Sequence, residues 1–391
     1  MKYFFIIILY IITLDQVSGC RLWAVINKEN LTLSTLSNSE QYEIRSQLST
    51  FFDQSVNMTN GWSLLDYTKE YSVPIVPLFR SEKTAYSDST IYWSLVDSIL
   101  DVGASSIALG HLRLSSSGIN TTPNPHPWMF YHNGISYSFM HNGTVNKNIL
   151  YNLITQNGTD LSWLDNHQPT TFNGTNWKEE GWSNVIDSEL LMLYIMQKVI
   201  QEESAFLGLQ VALSTIISNG IYAGQMNLIF SDGSSLFIFG GEEGLSFKES
   251  SEYYSIMTEP DSDDYLSWSG ISEGELIIFN HEGFNEYPNF IYYKDENPLL
   301  PTKSATRMSP AFPNPFNSSI NFSFLDITEG EPVDISIFNL KGLLIDHFQL
   351  KDTEEKQIIT WNPVNSISSG TYFIQANINN IILNQKIVFI K

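Results

Sequence analysis

Short apolar runs alternate with amphipathic stretches from Arg21 to about Leu300, and this alternation constrains the fold more than any other feature of the sequence. Several runs are bounded by turn residues and are either continuously apolar or alternate with polar residues, which predicts buried strands. They include RLWAVI, SSIALGHLRL, ISYSFMHNG, YYSIMTE and GELIIFN. Two more runs flank Ser231-Asp232-Gly233, a sequence typical of a β-hairpin turn.

Helices are predicted where apolar residues recur at spacings of three and four, over 89–100, 146–155 and 187–200. The last segment opens with Asp187 and Glu189, and acidic residues favour the start of a helix. Helices and antiparallel strands in this balance predict an α+β fold, in which sheets stack face to face and helices pack outside them.

A change of composition divides the chain. Around 296–317 the periodic pattern gives way to Pro, Ser, Thr and Asn, which predicts a linker over 300–311. Short strand-like runs then follow at regular spacing with turn residues between them. This second pattern predicts a small Ig-like β-sandwich over 312–391.

The first nineteen residues are typical of an export signal. Lys2 precedes a short apolar core, YFFIIILYIITL, and Val17-Ser18-Gly19 offers small residues for cleavage. The core is shorter than the roughly 20 apolar residues that a membrane-spanning helix needs, and no later stretch comes closer. We therefore predict a signal peptide over 1–19 and no transmembrane span in the mature chain.

Charge restricts the possible partners. The 391 residues include 42 acidic and 20 basic side chains, which gives a formal net charge of −22. A chain with this balance repels phosphate backbones, so we expect no binding to nucleic acid. We also predict neither a metal nor a cofactor.

Cys20 is the only cysteine of the chain and directly follows the predicted signal. One cysteine cannot form an intramolecular disulfide, so the thiol needs another explanation. Cleavage after Gly19 would place the thiol beside a free α-amine with a pKa of about 7.7–8.0, a usable base for an N-terminal nucleophile. The same residues also fit a lipoprotein signal, in which lipid on the thiol would block this chemistry.

Three later motifs bear on that choice. Arg113, in GHLRLSSSG, has the planar charged fork that binds a carboxylate, although a surface ion pair is the alternative. Asn142 and Gly143, in FMHNGTVN, can direct an amide and a backbone N–H at one oxyanion, or can form a simple turn. Asp187, in VIDSELL, can hold an ammonium group or act as a helix N-cap. Together with Cys20, these residues describe a site for a glutamine-like substrate.

Up to about Asn280, the domain predicted over 20–299 resembles the class II glutamine amidotransferases, N-terminal-nucleophile hydrolases with a four-layer αββα fold. The resemblance rests on motifs that occur in the family's order: CRLWAVI, NGWSLLDY, HLRLSSSG, FMHNGTVN and IDSELL. Three residues depart from the usual pattern, with Ala24 and Ser63 in place of glycine and Asn60 in place of aspartate. The segment MTEPDSDDYLSWSGISEGELIIF is similar to the stand-alone branch, which lacks a fused synthetase.

This resemblance implies a role for each candidate residue. Cys20 would attack the side-chain amide, and Asn142 and Gly143 would stabilise the tetrahedral oxyanion. Arg113 and Asp187 would hold the α-carboxylate and the α-amine of glutamine.

The tripeptide His-Asn-Gly occurs twice, at 132–134 and at 141–143. Only the second copy leads into an Asn-containing helix start, so we assign the oxyanion site to 141–143.

The C-terminal segment resembles the sorting domain of cargo of the type IX secretion system. The resemblance covers 312–391 and rests on FPNPFNSSINFSF, VDISIFNLKGLLI, ITWNP, SSGTYFIQA and the ending KIVFIK. It implies interaction with the type IX secretion machinery, export through an outer membrane, and a protein that is secreted or held at the cell surface. The alternative is a generic Ig-like module that binds a surface partner.

These features predict a secreted amidohydrolase that cleaves glutamine or another γ-glutamyl amide through a thioester on Cys20. The chain has no synthetase domain to consume ammonia, so simple hydrolysis is the expected outcome. The alternative is a non-catalytic surface lipoprotein or binding protein on the same fold, with lipid on Cys20. The sorting tail counts against it, because such cargo normally carries an ordinary signal peptide.

Overall fold

A computed structural model of the chain describes residues 19–28, 32–68, 78–103, 105–115, 126–170, 176–262, 264, 267–292, 307–308, 311, 313–325, 330, 332–351, 358–364, 367–378 and 381–391. Apart from Gly19, the predicted signal peptide lies outside the described residues. Within them, no helix is long and apolar enough to cross a membrane. The same residues contain no cluster of three or more side chains suited to a metal ion.

One antiparallel sheet contains the strand that follows Cys20. Its strands, in chain order, are β1 Arg21–Asn27, β2 Trp62–Thr68, β3 Leu78–Ser81, β4 Ser105–Leu112, β9 Leu245–Glu249, β10 Tyr253–Met257 and β11 Ser269–Ile271. They are arranged as β11-β9-β10-β1-β4-β2-β3. Every residue of the central strands β1 and β4 is buried. Burial on both faces explains why β1 is a continuous apolar run from Leu22 to Ile26 in the sequence.

A second antiparallel sheet contains the strand that leads to Asn142. Its strands are β5 Trp128–His132, β6 Ile135–Asn142, β7 Asn227–Ser231, β8 Leu236–Phe239, β12 Leu276–Asn280 and β13 Gly283–Tyr287. They are arranged as β13-β12-β8-β7-β6-β5. The predicted hairpin is confirmed, because β7 and β8 pair directly and Gly233 has a φ of +84° in the turn between them.

The described helices are α1 Asn38–Gln54, α2 Ser89–Asp97, α3 Lys147–Ile154, α4 Ser162–Asn166, α5 Asp187–Gln201 and α6 Ala205–Ser218. The three predicted helices are confirmed as α2, α3 and α5, and α2 continues into a π-helical turn over Ser98–Val102. Helices α1, α4 and α6 were not predicted from the sequence.

The two sheets share a core, and helices cover their outer faces. On β1, Trp23 and Val25 pack in a cluster with side chains of α1 and α2. The alternate residues Ala24 and Ile26 pack in a different cluster with side chains of β6, β7, β8 and β12. A third cluster joins the opposite face of the second sheet to α3, α5 and α6. The expected mixed fold, with antiparallel sheets face to face and helices outside them, is therefore confirmed.

The C-terminal segment is built from strands in its described part. They are β14 Arg307–Met308, β15 Ile320–Phe322, β16 Phe324–Leu325, β17 Val333–Asn339, β18 Leu344–Leu350, β19 Ile359–Trp361, β20 Gly370–Ile378 and β21 Ile381–Phe389. The last long strands form a sheet in the order β18-β17-β20-β21, while β14 pairs with β16 and β15 with β19. The Ig-like sandwich itself stays a prediction.

Part of the predicted linker contacts the tail. The strand Arg307–Met308 falls inside 300–311 and pairs with β16 of the tail. Met308 also packs against the hydrophobic cluster of the tail, which includes Ala311. The linker over 300–311 and the domain bounds on either side of it stay predictions.

Candidate active site

The candidate site residues lie at the ends of central elements of the two sheets. Cys20 immediately precedes β1 and Arg113 immediately follows β4, and the pairing of Arg21 with Leu112 brings these two ends together. Asn142 is the last residue of β6 in the facing sheet, and Asp187 is the first residue of α5. The fold thus gathers residues that are far apart in the sequence.

Cys20 and Asn142 are in direct contact. In the uncut chain the backbone N–H of Cys20 donates a hydrogen bond to Asn142 Oδ1 at 2.8 Å. The other end of the same amide, Asn142 Nδ2, is buried and has no hydrogen-bond partner among the described residues. Because a buried donor without a partner is costly, an Nδ2 left in this state beside the thiol is suited to receive an oxyanion.

Gly143 lies where the backbone after β6 passes very close to a neighbouring segment. A Cβ atom at this position would lie 2.0 Å from the carbonyl oxygen of Gln225 and 2.9 Å from His141 Nε2. Only glycine allows this approach, and the approach fixes the path of the backbone immediately after Asn142.

We expect Gly143→Ala to lower the melting temperature and the solubility of the protein, because the methyl group meets a backbone atom that cannot move alone. Gly270→Ala is the matched control, since a Cβ atom there has no neighbour within 4 Å. Thermal unfolding of both variants checks this prediction. Equal melting temperatures for the two would contradict it.

Cys20 is partly buried, and its Sγ donates to the carbonyl oxygen of Leu114 at 3.5 Å. Burial raises the pKa of this thiol above its usual value. The hydrogen bond to Leu114 and the charges of Arg113 and Arg21 oppose the rise, whereas the nearby Asp187 carboxylate adds to it. The thiol is therefore protonated near neutral pH and needs a base before it can act as a nucleophile.

Arg113 is held by the NGW segment of the sequence. Its backbone N–H donates to Gly61 O at 2.8 Å, and its carbonyl accepts from the Asn60 N–H at 3.1 Å. Gly61 has a φ of +116°, a backbone conformation that favours glycine. The guanidinium donates to Ser115 Oγ at 3.0 Å, and the residue is only 4% exposed. A surface ion pair, the alternative considered for Arg113, does not describe this buried position.

Asp187 supports the turn that carries Asn142 and Gly143. Its Oδ2 accepts a hydrogen bond from the Val145 N–H at 2.9 Å, and the side chain is buried. The N-cap position of α5 belongs to Ile186, so Asp187 is not the N-cap of its helix. The carboxylate also interacts electrostatically with Cys20.

The second His-Asn-Gly lies elsewhere. His132 ends β5, and Asn133 and Gly134 form the turn to β6 with φ values of 48° and 82°. This turn is at the start of β6, whereas Asn142 is at its far end. Of the two copies, the structure brings only the one at 141–143 to Cys20.

Glu243 lies at the site although it was not among the residues predicted from the sequence. A Cβ atom on Gly19 would lie 2.5 Å from Asn142 Oδ1 and 3.0 Å from Glu243 Oε2, so this carboxylate lies beside the bond to be cut. The carbonyl of Gly19 accepts from Arg21 Nη1 at 3.2 Å. No sequence motif marks Glu243, because its proximity to the N-terminus depends entirely on the fold.

The C-terminal tail has a clear counterpart among known protein families. Residues 310–391 match the family model of the secretion system C-terminal sorting domain. The tail is a sorting domain. This assigns the chain to export, with the mature protein at the cell surface or released from it, as the sequence predicted.

The chain is also similar to known proteins at low sequence identity. The "Uncharacterized protein MJ1515" of Methanocaldococcus jannaschii is 23% identical over 252 residues, which cover 63% of this chain and 60% of that protein. The chain thus spans about three-fifths of the length of this curated relative.

Two solved structures are also similar. A "glutamine aminotransferase class-II domain protein" of Silicibacter pomeroyi is 16% identical, with a TM-score of 0.39 and coverage of 68% of this chain and 97% of that one. A "predicted glutamine amidotransferase" of Pseudomonas aeruginosa is also 16% identical, with a TM-score of 0.33 and coverage of 68% and 98%.

Proposed function

We propose that the domain over 20–299 is an exported N-terminal cysteine amidohydrolase that cleaves glutamine or another γ-glutamyl amide. One contact supports this function best, the 2.8 Å hydrogen bond from the Cys20 nitrogen to Asn142 Oδ1. Through this contact the nitrogen that becomes the α-amine lies next to an amide whose Nδ2 is buried and has no hydrogen-bond partner among the described residues. A nucleophile, its base and an oxyanion donor are the groups that acyl transfer requires.

Acylation begins once the bond between Gly19 and Cys20 has been cut. The free α-amine takes the proton of the thiol, and the thiolate attacks the side-chain carbonyl carbon of the substrate. The carbonyl oxygen becomes an oxyanion that accepts hydrogen bonds from Asn142 Nδ2 and the Gly143 N–H. The C–N bond then breaks, the ammonium returns its proton to the leaving amine, and a γ-glutamyl thioester remains on Sγ.

Deacylation repeats these steps with water as the nucleophile. The α-amine takes a proton from water, and the hydroxide adds to the thioester carbonyl through the same oxyanion. The C–S bond breaks, the thiolate recovers the proton from the ammonium, and glutamate leaves. In this scheme Arg113 holds the α-carboxylate of the substrate and Asp187 holds its α-amine, as charge complementarity requires.

The first experiment compares two recombinant chains, one that begins at Cys20 and one that keeps Gly19 as its first residue. We expect the first to release glutamate from glutamine or a γ-glutamyl anilide at least about 100-fold faster, because only its amine can act as the general base. A chain that begins at Cys20 and carries an extra glycine after Lys391 is the matched control. It should react at the rate of the mature chain.

Two outcomes would count against the proposal. Equal rates for the Cys20 and Gly19 chains would remove the α-amine from the mechanism. A confirmed free thiol at the N-terminus without hydrolysis of any γ-glutamyl amide would overturn the hydrolase function, and the non-catalytic binding protein would take its place.

A further inference from the structure

Three buried histidines lie side by side directly behind the candidate active site. His111, His126 and His141 are 0%, 4% and 1% exposed. The rings of His111 and His126 stack with their centroids 4.3 Å apart and an interplanar angle of 13°. Imidazoles seldom lie together out of contact with water, so this arrangement calls for a function beyond filling space.

Hydrogen bonds run through the three histidines in one direction. The backbone N–H of His126 donates to His111 Nδ1 at 3.0 Å. The backbone N–H of His141 donates in turn to His126 Nδ1 at 3.2 Å. A backbone N–H can only donate, so both Nδ1 atoms must be unprotonated acceptors and each ring carries its proton on Nε2.

His141 completes the series with two contacts of its own ring. Its Nε2 is 2.8 Å from the carbonyl oxygen of Gln225, which can only accept, so Nε2 carries the proton. Its Nδ1 lies 3.0 Å from the hydroxyl of Ser188, from which a neutral ring accepts. The contacts therefore make His111 and His126 neutral, and a neutral His141 is the same tautomer as both.

The two ends of the series adjoin the proposed substrate-binding residues. His111 lies two positions before Arg113, and His141 immediately precedes Asn142. His126 belongs to neither motif and is the element that connects them. Its hydrogen bonds therefore couple the position of the proposed carboxylate clamp to that of the proposed oxyanion donor.

The segment of His126 is itself held in place by two residues of the first sheet. The Ser63 hydroxyl donates to the carbonyl oxygen of His126, and Arg80 Nη2 donates to the carbonyl oxygen of Pro127. Ser63 lies directly opposite His111 in the pairing of β2 with β4. Ser63 stands where the family that the sequence resembles usually has glycine. In this chain its hydroxyl has a specific partner, the carbonyl oxygen of His126.

We propose that His126 is a positioning residue, whose neutral ring and backbone hold the Arg113 and Asn142 segments in register for the reaction. The proposal rests on the proposed function. It predicts that the geometry of the site depends on an acceptor at the Nδ1 position of His126 and is lost when that position gains a proton.

The charges that face His126 favour its neutral form. His111 and Arg113 come from β4 and the residue after it, His141 from β6 and Arg80 from β3, and each of them is neutral or positive. Burial, followed by these groups, holds the pKa of His126 well below its usual range. Burial does the same for His111.

The pH dependence follows from these directions. Burial lowers the pKa of His141 too, although the Asp187 carboxylate opposes this shift. Unfolded histidines take up protons below about pH 6.5, whereas the folded rings resist protonation, so acid favours the unfolded chain. The contribution of the neutral histidines to stability is therefore fully present above about pH 6.5 and is lost progressively as the pH falls.

The test compares His126→Asn with His126→Phe in the mature chain. The Oδ1 of asparagine can accept the His141 N–H in place of Nδ1, whereas phenylalanine removes the acceptor. We expect kcat/KM to fall roughly 100-fold in His126→Phe, because small displacements in a site have effects of that size. We expect a loss of less than about fivefold in His126→Asn, with a less steep loss of activity toward acid pH, since one titrating group is absent. His132→Asn, in the turn after β5, is the control and should match the wild type.

A second measurement does not depend on activity. ¹⁵N NMR of the histidine rings should show His111 and His126 as neutral Nε2–H tautomers at pH 7 and still neutral at pH 6. Protonation of His126 near its ordinary pKa would overturn the proposal. So would equal losses of kcat/KM in His126→Asn and His126→Phe, if the loss of activity toward acid pH stays as steep as in the wild type. If the rings behave as expected but the wild-type chain hydrolyses no γ-glutamyl amide, the proposed function fails while the arrangement of the histidines is supported.

Discussion

Replacing Cys20 by serine should lower the release of glutamate by the mature chain at least about a thousand-fold, the order expected when an enzyme loses its nucleophile. A serine hydroxyl fits the same space, but it is a much weaker acid than a thiol, so the α-amine of a site built for cysteine activates it far less readily. The backbone N–H···Oδ1 contact with Asn142 does not involve the side chain, so thermal stability should be unchanged. Steady-state assays with glutamine and thermal unfolding of both chains test this expectation.

The control for this variant is the state of the N-terminus. Both proteins must begin at residue 20 with a free amine, verified by mass, because a retained Gly19 would abolish activity for a different reason. Glutamate release by Cys20→Ser at a rate close to that of the wild type would show that the thiol is not the nucleophile.

Replacing Asn142 by alanine is expected to reduce kcat by about 100-fold to 1,000-fold with little change in KM, as for the loss of one oxyanion donor. The physical reason is that Asn142 Nδ2 donates a strong hydrogen bond only when the carbonyl oxygen of the substrate acquires negative charge. Its loss therefore affects the transition state more than the bound substrate. Among the described residues this donor is buried without a hydrogen-bond partner in the resting structure. Steady-state kinetics of the mature variant measures both parameters.

The chain supplies a matched control for this substitution in its other His-Asn-Gly. Asn133 has a φ of 48°, which glycine adopts freely, so Asn133→Gly changes the same tripeptide without straining the turn. It should leave kcat unchanged. A rise in KM without a fall in kcat for Asn142→Ala would contradict the oxyanion assignment, because it would indicate binding of the ground state alone.

Much of the fold was predictable because the central strands have a strong signal. β1 is buried on both faces, so its sequence is a continuous apolar run from Leu22 to Ile26. Helix α5 was equally clear from its spacing. Helix α6, AFLGLQVALSTIIS, is apolar along most of its length, so it lacks the polar face that marks an amphipathic helix.

The candidate site residues could be predicted individually from the sequence, but the residues that pack around them and hold them in place could not. Arg113 comes directly after strand β4, and Asn142 is the last residue of β6. Asp187 is the first residue of helix α5. Each of these residues lies in a sequence motif that could be recognised. The contacts of His126 and Glu243 depend on which strands of two different sheets face each other. Sequence periodicity reports which face of a strand is buried, but it does not report what lies across from that face.

The mass of the N-terminal peptide of the protein isolated from its native host tests the central claim most directly. We expect a peptide that begins at Cys20, with an unmodified thiol and a free α-amine. A peptide with lipid on the Cys20 thiol would leave no nucleophile, and one that continues upstream through Gly19 would leave no free amine to serve as the base. Either result would contradict the assignment of Cys20 as an N-terminal nucleophile.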